Sequence, residues 1–272
     1  MIKHYLKVAF RNLIKYKTQS LVSIIGLAVG FTCFALSVLW IRYEMTYDNF
    51  HEGADRIYLV RAHYANEPGT SKFTPYPLMK YLQDKMPEIE AVTAFTAHYV
   101  KFRMEDTEQE IGMIAADSVF MNFFDIQLLK GTVNFLKCDG QEVAITKEFA
   151  KRLFSKEEDA LGKEVEVGRR VCKIGAIVSG WSNHSNIPYN ILAPARHSPQ
   201  WGSSNEQLLI RVRERTDIDA FRTKMSTVCI NDIEKESELS DLLITRMSAL
   251  RYSDYVDTVS YTHLTLPTKL EV

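Results

Sequence analysis

An uninterrupted apolar run occupies residues 21–41 and contains no charged side chain. A helix rises about 1.5 Å per residue, so this run spans about 30 Å, the thickness of a bilayer's hydrocarbon core. The pattern predicts one transmembrane helix over residues 18–42. A cleaved signal peptide would have a shorter apolar region followed by small residues, and a buried soluble helix would show a polar face. The residues that mark the span are Leu21, Gly26, Gly30 and Ile41, with the two glycines spaced for close approach of another helix.

The segment before this run is basic. Residues 1–17 hold five Lys or Arg side chains and no acid, and four of these cations recur every fourth residue beside an apolar face. This basic face consists of Lys3, Lys7, Arg11 and Lys15. An amphipathic helix of this kind lies in the membrane interface, but the same residues also fit a plain topology signal, and both interpretations stay open. Because Lys and Arg beside a span are retained inside, we expect a cytoplasmic N-terminus and an exported remainder.

Beyond residue 42 the apolar positions change period several times. Alternation of apolar and polar residues predicts strands at residues 56–64, 90–103, 108–115, 142–145, 163–167, 171–178, 208–212 and 242–247. Helical spacing predicts helices that begin at residues 74–77, after Asp117 and after Thr146, and one over residues 217–235. Strands and helices follow each other irregularly, so the fold class is α+β: one N-terminal transmembrane helix and a mixed α/β extracytoplasmic domain over residues 43–258.

Composition and motifs narrow the function. The chain is 46% hydrophobic and 25% charged, which excludes a disordered or fibrous protein, and its net charge of -1 argues against a nucleic-acid partner. The sequence contains no phosphate-cradling GxxxxGK[ST] loop, no GxSxG nucleophile elbow and no HExxH zinc helix. We therefore expect a non-enzymatic protein with no catalytic residue, no metal site and no cofactor.

A few polar residues are candidates for chemistry. Residues 183–186 (NHSN) form the most polar loop, although the sequence favours an ordinary surface turn there. Asp48 and His51 resemble an acid–base pair, but so near the membrane we expect them to cap helices and to pair with backbone or with Arg56. One disulfide is conceivable among the cysteines outside the span, yet buried free thiols are preferred. These cysteines are Cys138, Cys172 and Cys229.

Several short blocks occur in a characteristic order. They are residues 11–13 (RNL), 24–30 (IIGLAVG), 47–58 (YDNFHEGADRIY), 87–90 (PEIE), 116–123 and 161–163 (LGK). In this order they resemble the MacB/FtsX-type ABC transporter permeases, over roughly residues 5–250. The resemblance implies a MacB-like periplasmic core domain inserted after the first transmembrane helix, with further helices after that domain, in the inner membrane of a bacterium.

The resemblance also implies partners and a mechanical role. Relatives pair with a separate or fused ABC ATPase, usually dimerise with a second permease copy or homologue, and move periplasmic domains that push substrate or signal to a periplasmic or outer-membrane partner. We expect the coupling element between span and domain to be held by capping and salt bridges. Its residues are Tyr47, Asp48, Phe50, His51, Asp55 and Arg56. The alternatives are a membrane-anchored sensor or ligand-binding module, and a tethered hydrolase.

The C-terminal part departs from the family. After residue 224 no second apolar run is long enough to cross a bilayer. Residues 259–268 (VSYTHLTLPT) look like a translated sequencing adapter, although a native β-rich segment would also contain Val, Tyr and Thr. We therefore expect a truncated permease in which residues 259–272 are read-through, and we exclude them from fold reasoning.

Overall fold

The structure is a computed structural model that describes residues 2–65, 69–104, 107–137, 141–154, 156–181, 184–232 and 238–251. The chain divides into two compact units, Met1–Tyr47 and Asp48–Val272. Some expectations concern residues outside the described ranges. These are the turn at residues 105–106, Cys138, Asn183, the end of the helix expected over 217–235, and the read-through at 259–272.

The N-terminal unit consists of two helices, α1 (Ile2–Lys15) and α2 (Lys17–Met45). Helix α2 contains the expected span, and among the described residues it is the one helix long and apolar enough to cross a membrane. The hydroxyls of Thr32 and Ser37 donate to the carbonyls of Ala28 and Cys33, four residues earlier. These polar groups are therefore satisfied within the helix, as an apolar surrounding requires.

The second unit contains twelve strands and four helices among the described residues. The strands are β1 (Ile57–Tyr64), β2 (Thr70–Ser71), β3 (Thr74–Pro75), β4 (Ile89–Met104), β5 (Thr107–Ala116), β6 (Leu128–Gly131), β7 (Glu142–Thr146), β8 (Glu164–Val167), β9 (Arg170–Val178), β10 (Ile191–Pro194), β11 (Ser204–Val212) and β12 (Leu239–Arg246). The helices are α3 (Pro77–Lys85), α4 (Ser118–Phe123), α5 (Lys147–Leu153) and α6 (Ile218–Asp232). Short 3-10 turns lie at Ala54–Arg56, Val133–Leu136, Glu157–Ala160 and Met247–Ala249.

The strands are ordered β12-β1-β11-β4-β5-β10-β7-β9-β6, with β2 beside β1, β3 beside β11, and β8 between β4 and β9. Strand β10 runs parallel to β5 and β7 runs parallel to β9, whereas the remaining described pairs are antiparallel. This mixed sheet with irregularly placed helices confirms the α+β class.

Six of these strands close into a ring. Pairing runs from β4 through β5, β10, β7, β9 and β8, and β8 returns to β4 through Phe102↔Val167 and Arg103↔Glu166. Alternate residues of these strands form one hydrophobic core with Phe149 of α5. Closing a sheet on itself removes the unpaired edges that would otherwise be open to other chains.

Two further cores fill the rest of the domain. One packs α4 and the fully buried Phe135 against the opposite face of the ring strands. The other packs α3 and α6 against β1, β11 and β12. The first of these two cores also contains Ile57 and Leu59 of β1, so it connects the ring strands to the rest of the domain.

The first and last described strands of the domain are neighbours. Strand β1 lies between β11 and β12, and Tyr58 at its start pairs with Arg246 at the end of β12. The residues that lead into β1 and the residues that follow β12 therefore meet at one end of the sheet. This is the end at which the coupling residues lie.

Most of the predicted elements are present with small shifts in their bounds, including the β4–β5 and β8–β9 hairpins. Strand β10 was missed, although Ile191 and Leu192 are fully buried between β5 and β7. Its four residues form a short apolar run without alternation, which periodicity does not identify as a strand.

Candidate functional site where the chain enters the domain

Asp48, the first residue of the domain, is completely buried and has a left-handed backbone with φ of 58°. Its backbone N–H donates to the carbonyl of His184 at 3.3 Å. Its carboxylate accepts hydrogen bonds from the Ser185 hydroxyl, and from the backbone N–H (3.1 Å) and side-chain amide (2.6 Å) of Asn186. Asp and Asn tolerate the left-handed conformation better than most residues, so the backbone and the side chain both favour aspartate here.

The same network reaches the end of the domain. The Asn186 amide also donates to the carbonyl of Met247 at 3.1 Å, in the 3-10 turn directly after β12. We name the set of Asp48, Ser185, Asn186 and the Met247 carbonyl the Asp48 clasp. Around one buried carboxylate, the clasp joins the segment that leads into β1 (the incoming segment), the loop before β10, and the segment that follows β12 (the outgoing segment).

The loop at residues 183–186, which contains the hydrogen-bond donors to Asp48, was expected to be an ordinary surface turn. That expectation is wrong. Ser185 is 4% exposed, and its hydroxyl also accepts the backbone N–H of Ile187 at 3.0 Å. The sequence gives no spacing signal for this contact, because Asp48 and Asn186 are 138 residues apart.

Burial raises the pKa of Asp48, whereas the hydrogen bonds from Ser185 and Asn186 oppose that rise. The three donors thus offset part of the cost of holding a carboxylate away from water.

His51 lies in an aromatic cluster. Its ring is 4.2 Å from that of Phe50, 4.7 Å from that of Phe124 and 4.9 Å from that of Trp181. Burial and the nearby Arg211 lower the pKa of His51 to about 4, so the imidazole is neutral at physiological pH. The backbone N–H of His51 donates to the Asp48 carbonyl at 3.3 Å.

This cluster borders a cavity of about 480 Å³. The Arg211 guanidinium lies 4.7 Å from the Phe123 ring centre and donates to the Phe123 carbonyl at 2.6 Å. Aromatic faces and one guanidinium at the wall of a cavity of this size are features of small-molecule sites.

Arg56, at the end of the 3-10 turn before β1, forms a salt bridge with a residue of β4. Its guanidinium lies 2.6 Å from the Glu90 carboxylate at the start of β4 and donates to the Val212 carbonyl at 3.0 Å. The hydrogen bond from Arg56 to Glu90 raises the pKa of Arg56. Asp55 is exposed on the same 3-10 turn. Arg56 thus ties the start of β1 to both β4 and β11.

The other predicted positions lie mainly in the N-terminal unit. Tyr47 is 7% exposed and its ring is 5.7 Å from that of Tyr43, edge to face. On α1 the side chains of Lys7, Arg11 and Lys15 are exposed, and the side chain of Lys3 is outside the described atoms. Gly26 and Gly30 of α2 have open space where a Cβ would stand.

Sequence reasoning missed a second charged cluster in the domain. The imidazole of His197 lies 3.2 Å from the Glu206 carboxylate and 3.7 Å from that of Asp117, and it stacks on the Tyr76 ring at 4.1 Å. Burial lowers the pKa of His197, but the two carboxylates outweigh burial and raise it to about 9. Asp117 was found only as the cap of α4, since nothing in residue spacing connects it to His197.

Metal-binding and thiol chemistry have little support in the described part of the chain. There, no group of three or more His, Cys, Asp or Glu side chains is placed to hold a metal ion. The side chain of Cys172 is buried, and that of Cys33 is exposed on α2.

Comparison with known proteins identifies the class as the extracytoplasmic domain of ABC-type transporter permeases. Residues 20–228 match the family described as the MacB-like periplasmic core domain. The chain therefore belongs to this family. A search of curated proteins gave no match.

Solved structures share the fold at low sequence identity. A domain described as part of a permease from Porphyromonas gingivalis has a TM-score of 0.56 and 19% identity, covering 72% of this chain and 92% of that one. The extracellular domain of the noncanonic ABC-type transporter YknZ from Gram-positive bacteria has a TM-score of 0.51 and 14% identity, covering 70% and 99%. The periplasmic region of MacB from Actinobacillus actinomycetemcomitans has a TM-score of 0.50 and 13% identity, covering 79% and 95%.

Proposed function

We propose that the chain is part of a permease subunit of a MacB/FtsX-type ABC transporter, in which an ATPase in the cytoplasm drives movement of the periplasmic domain for export or extraction of substrate. The observation that carries the proposal is the Asp48 clasp, which joins the incoming and outgoing ends of the domain. A displacement of the incoming segment at Asp48 therefore acts on the loop before β10 and on the end of β12 together.

Topology and partners follow from the same proposal. The basic residues before α2 favour a cytoplasmic N-terminus, where an ATPase subunit would reach α1, and an inner-membrane location with the domain in the periplasm. The open GxxxG face of α2 suits a second permease copy. The subunit itself is non-catalytic in this scheme, and it works in the lipid bilayer with a periplasmic or outer-membrane partner.

The salt bridge of Arg56 offers a direct test of coupling. In the complete transporter recovered from the source locus, Arg56→Glu should lower substrate transport at least about tenfold while ATP hydrolysis persists, because the start of β1 loses its tie to β4. The double variant Arg56→Glu/Glu90→Arg should recover part of the transport, since the charge pair is restored but the bond to the Val212 carbonyl is not. Normal transport in Arg56→Glu would contradict the coupling role.

The cavity beside His51 favours one alternative, a membrane-anchored ligand-binding module. In that case Trp181→Ala, which removes an aromatic wall, should abolish the response to a ligand, and no ATP-dependent transport is expected. Under the permease proposal transport depends on Arg56 and Glu90, so the two sets of variants separate the two functions.

A further inference from the structure

A second cavity, of about 390 Å³, lies at the ring of strands and is separate from the Asp48 clasp. Its apolar wall includes Val100 of β4, Met113 of β5 and Val143 of β7. These three side chains belong to, or pack against, the core of the ring. Among the described residues that line the cavity there is no Phe, Tyr or Trp, in contrast to the aromatic cavity beside His51. An aliphatic wall fits an alkyl chain better than a planar ring.

The charged part of the lining has a single sign. Arg169 and Arg170, in and beside the turn of the β8–β9 hairpin, and Arg196, after β10, all line the cavity and are all exposed. The described lining residues include no Asp or Glu. Three guanidinium groups around one opening favour an anion there, which they can bind through charge-assisted hydrogen bonds.

We propose that this cavity binds a single-chain anionic amphiphile, an alkyl carboxylate whose chain packs on the aliphatic wall and whose carboxylate meets Arg169, Arg170 and Arg196. The volume lies in the range of small-molecule sites, about 300–1,000 Å³, and suits one alkyl chain. This site is independent of the coupling role proposed for the incoming segment.

The test uses the full chain in nanodiscs of zwitterionic lipid and a dodecanoate analogue with a diazirine on its terminal carbon. After irradiation, mass spectrometry should find the label on peptides containing Val100, Met113 or Val143. An excess of dodecanoate should remove this labelling, whereas dodecanol, which has the same chain and no charge, should not. Labelling confined to α2, or equal competition by dodecanol, would overturn the proposal.

Variants with a matched control sharpen the result. Arg169→Glu/Arg170→Glu should reduce labelling of the ring peptides about tenfold, because two favourable charges become repulsive. Lys80→Glu/Lys85→Glu makes the same change of net charge on exposed positions of α3 and should leave labelling intact. Ala115→Phe, which keeps all the cations but fills the apolar wall, should also reduce labelling. Unchanged labelling in both the arginine and the Ala115 variants, each with a thermal melt like that of the parent chain, would refute the site.

Discussion

At the scale of single residues, the domain contains a buried carboxylate and a partly buried imidazole with different surroundings. Asp48 is held by hydrogen bonds that Ser185 and Asn186 donate to its carboxylate. His197 is held between two carboxylates, which favour its charged form. The first site therefore relies on hydrogen bonds and the second on ion pairs, and the two respond differently to substitution and to pH.

Replacement of Asp48 should separate hydrogen bonding from backbone strain. Asp48→Gly keeps the left-handed backbone but leaves the buried donors without an acceptor, so we expect a loss of about 3 kcal/mol in the free energy of unfolding. Asp48→Ala should cost about 1 kcal/mol more, because alanine resists a positive φ. Denaturant unfolding followed by circular dichroism measures both. As a control, Asp84→Ala at an exposed position of α3 should change the free energy of unfolding by less than about 0.5 kcal/mol. An equally small effect of the Asp48 variants would exclude a structural role for the clasp.

His197 should make stability depend on pH. A histidine with a pKa near 6.5 in the unfolded chain and about 9 in the folded domain stabilises fully below pH 6.5, and this contribution is lost as the pH rises through 9. His197→Gln should therefore be less stable than the parent chain by about 2 kcal/mol at pH 6 and nearly equal to it at pH 10. Unfolding measured at both pH values checks this, and in Glu206→Gln the dependence should be weaker. A deficit of the same size at both pH values would show that the carboxylates do not stabilise the imidazolium.

At the scale of elements, local signals were sufficient for hairpins and helices but not for the site. Alternation predicted the strands of the β4–β5 and β8–β9 pairs, and each pair is formed by strands that are adjacent in sequence. The cap Asp117 similarly marked α4, where its carboxylate accepts from two backbone N–H groups. The contacts of Asp48 with Asn186 and of His197 with Asp117 instead join residues 138 and 80 positions apart, and a single sequence carries no periodicity over such distances.

Strand β6 offers a test of close packing at the edge of the sheet. Gly131 has φ of 88°, and a Cβ there would overlap the Gly175 carbonyl oxygen, so Gly131→Ala must displace backbone. Gly162 also has a positive φ, of 77°, but open space around a Cβ. We expect Gly162→Ala to cost about 1 kcal/mol for strain alone and Gly131→Ala at least about 3 kcal/mol. Thermal or denaturant unfolding distinguishes the two variants. Equal losses in the free energy of unfolding would mean that β6 shifts to accommodate the new Cβ without a further loss of stability.

At the scale of the whole molecule, we predict that residues before α2 lie on the cytoplasmic side of the membrane and that the domain lies on the other side. Lys7→Cys should react with a membrane-impermeant maleimide only after cell lysis, whereas Lys80→Cys on α3 should react in cells whose outer membrane alone is permeable. The expectation rests on the retention of basic residues in the cytoplasm. The parent chain, with its native cysteines, gives the background, and labelling of Lys7→Cys in unlysed cells would reverse the proposed orientation.

The pairing of β1 with β12 also has a consequence for how the domain is made. Tyr58 meets Arg246 only after nearly all of the domain has been synthesised, and until then β1 lacks one of its two long neighbours. Contacts between such distant residues are slow to form, and an unpaired strand is open to other chains. The Asp48 clasp, which needs Met247, forms later still. A nascent domain is therefore most exposed to misassembly between the synthesis of β1 and the synthesis of β12. Assistance by a chaperone would matter most in that interval.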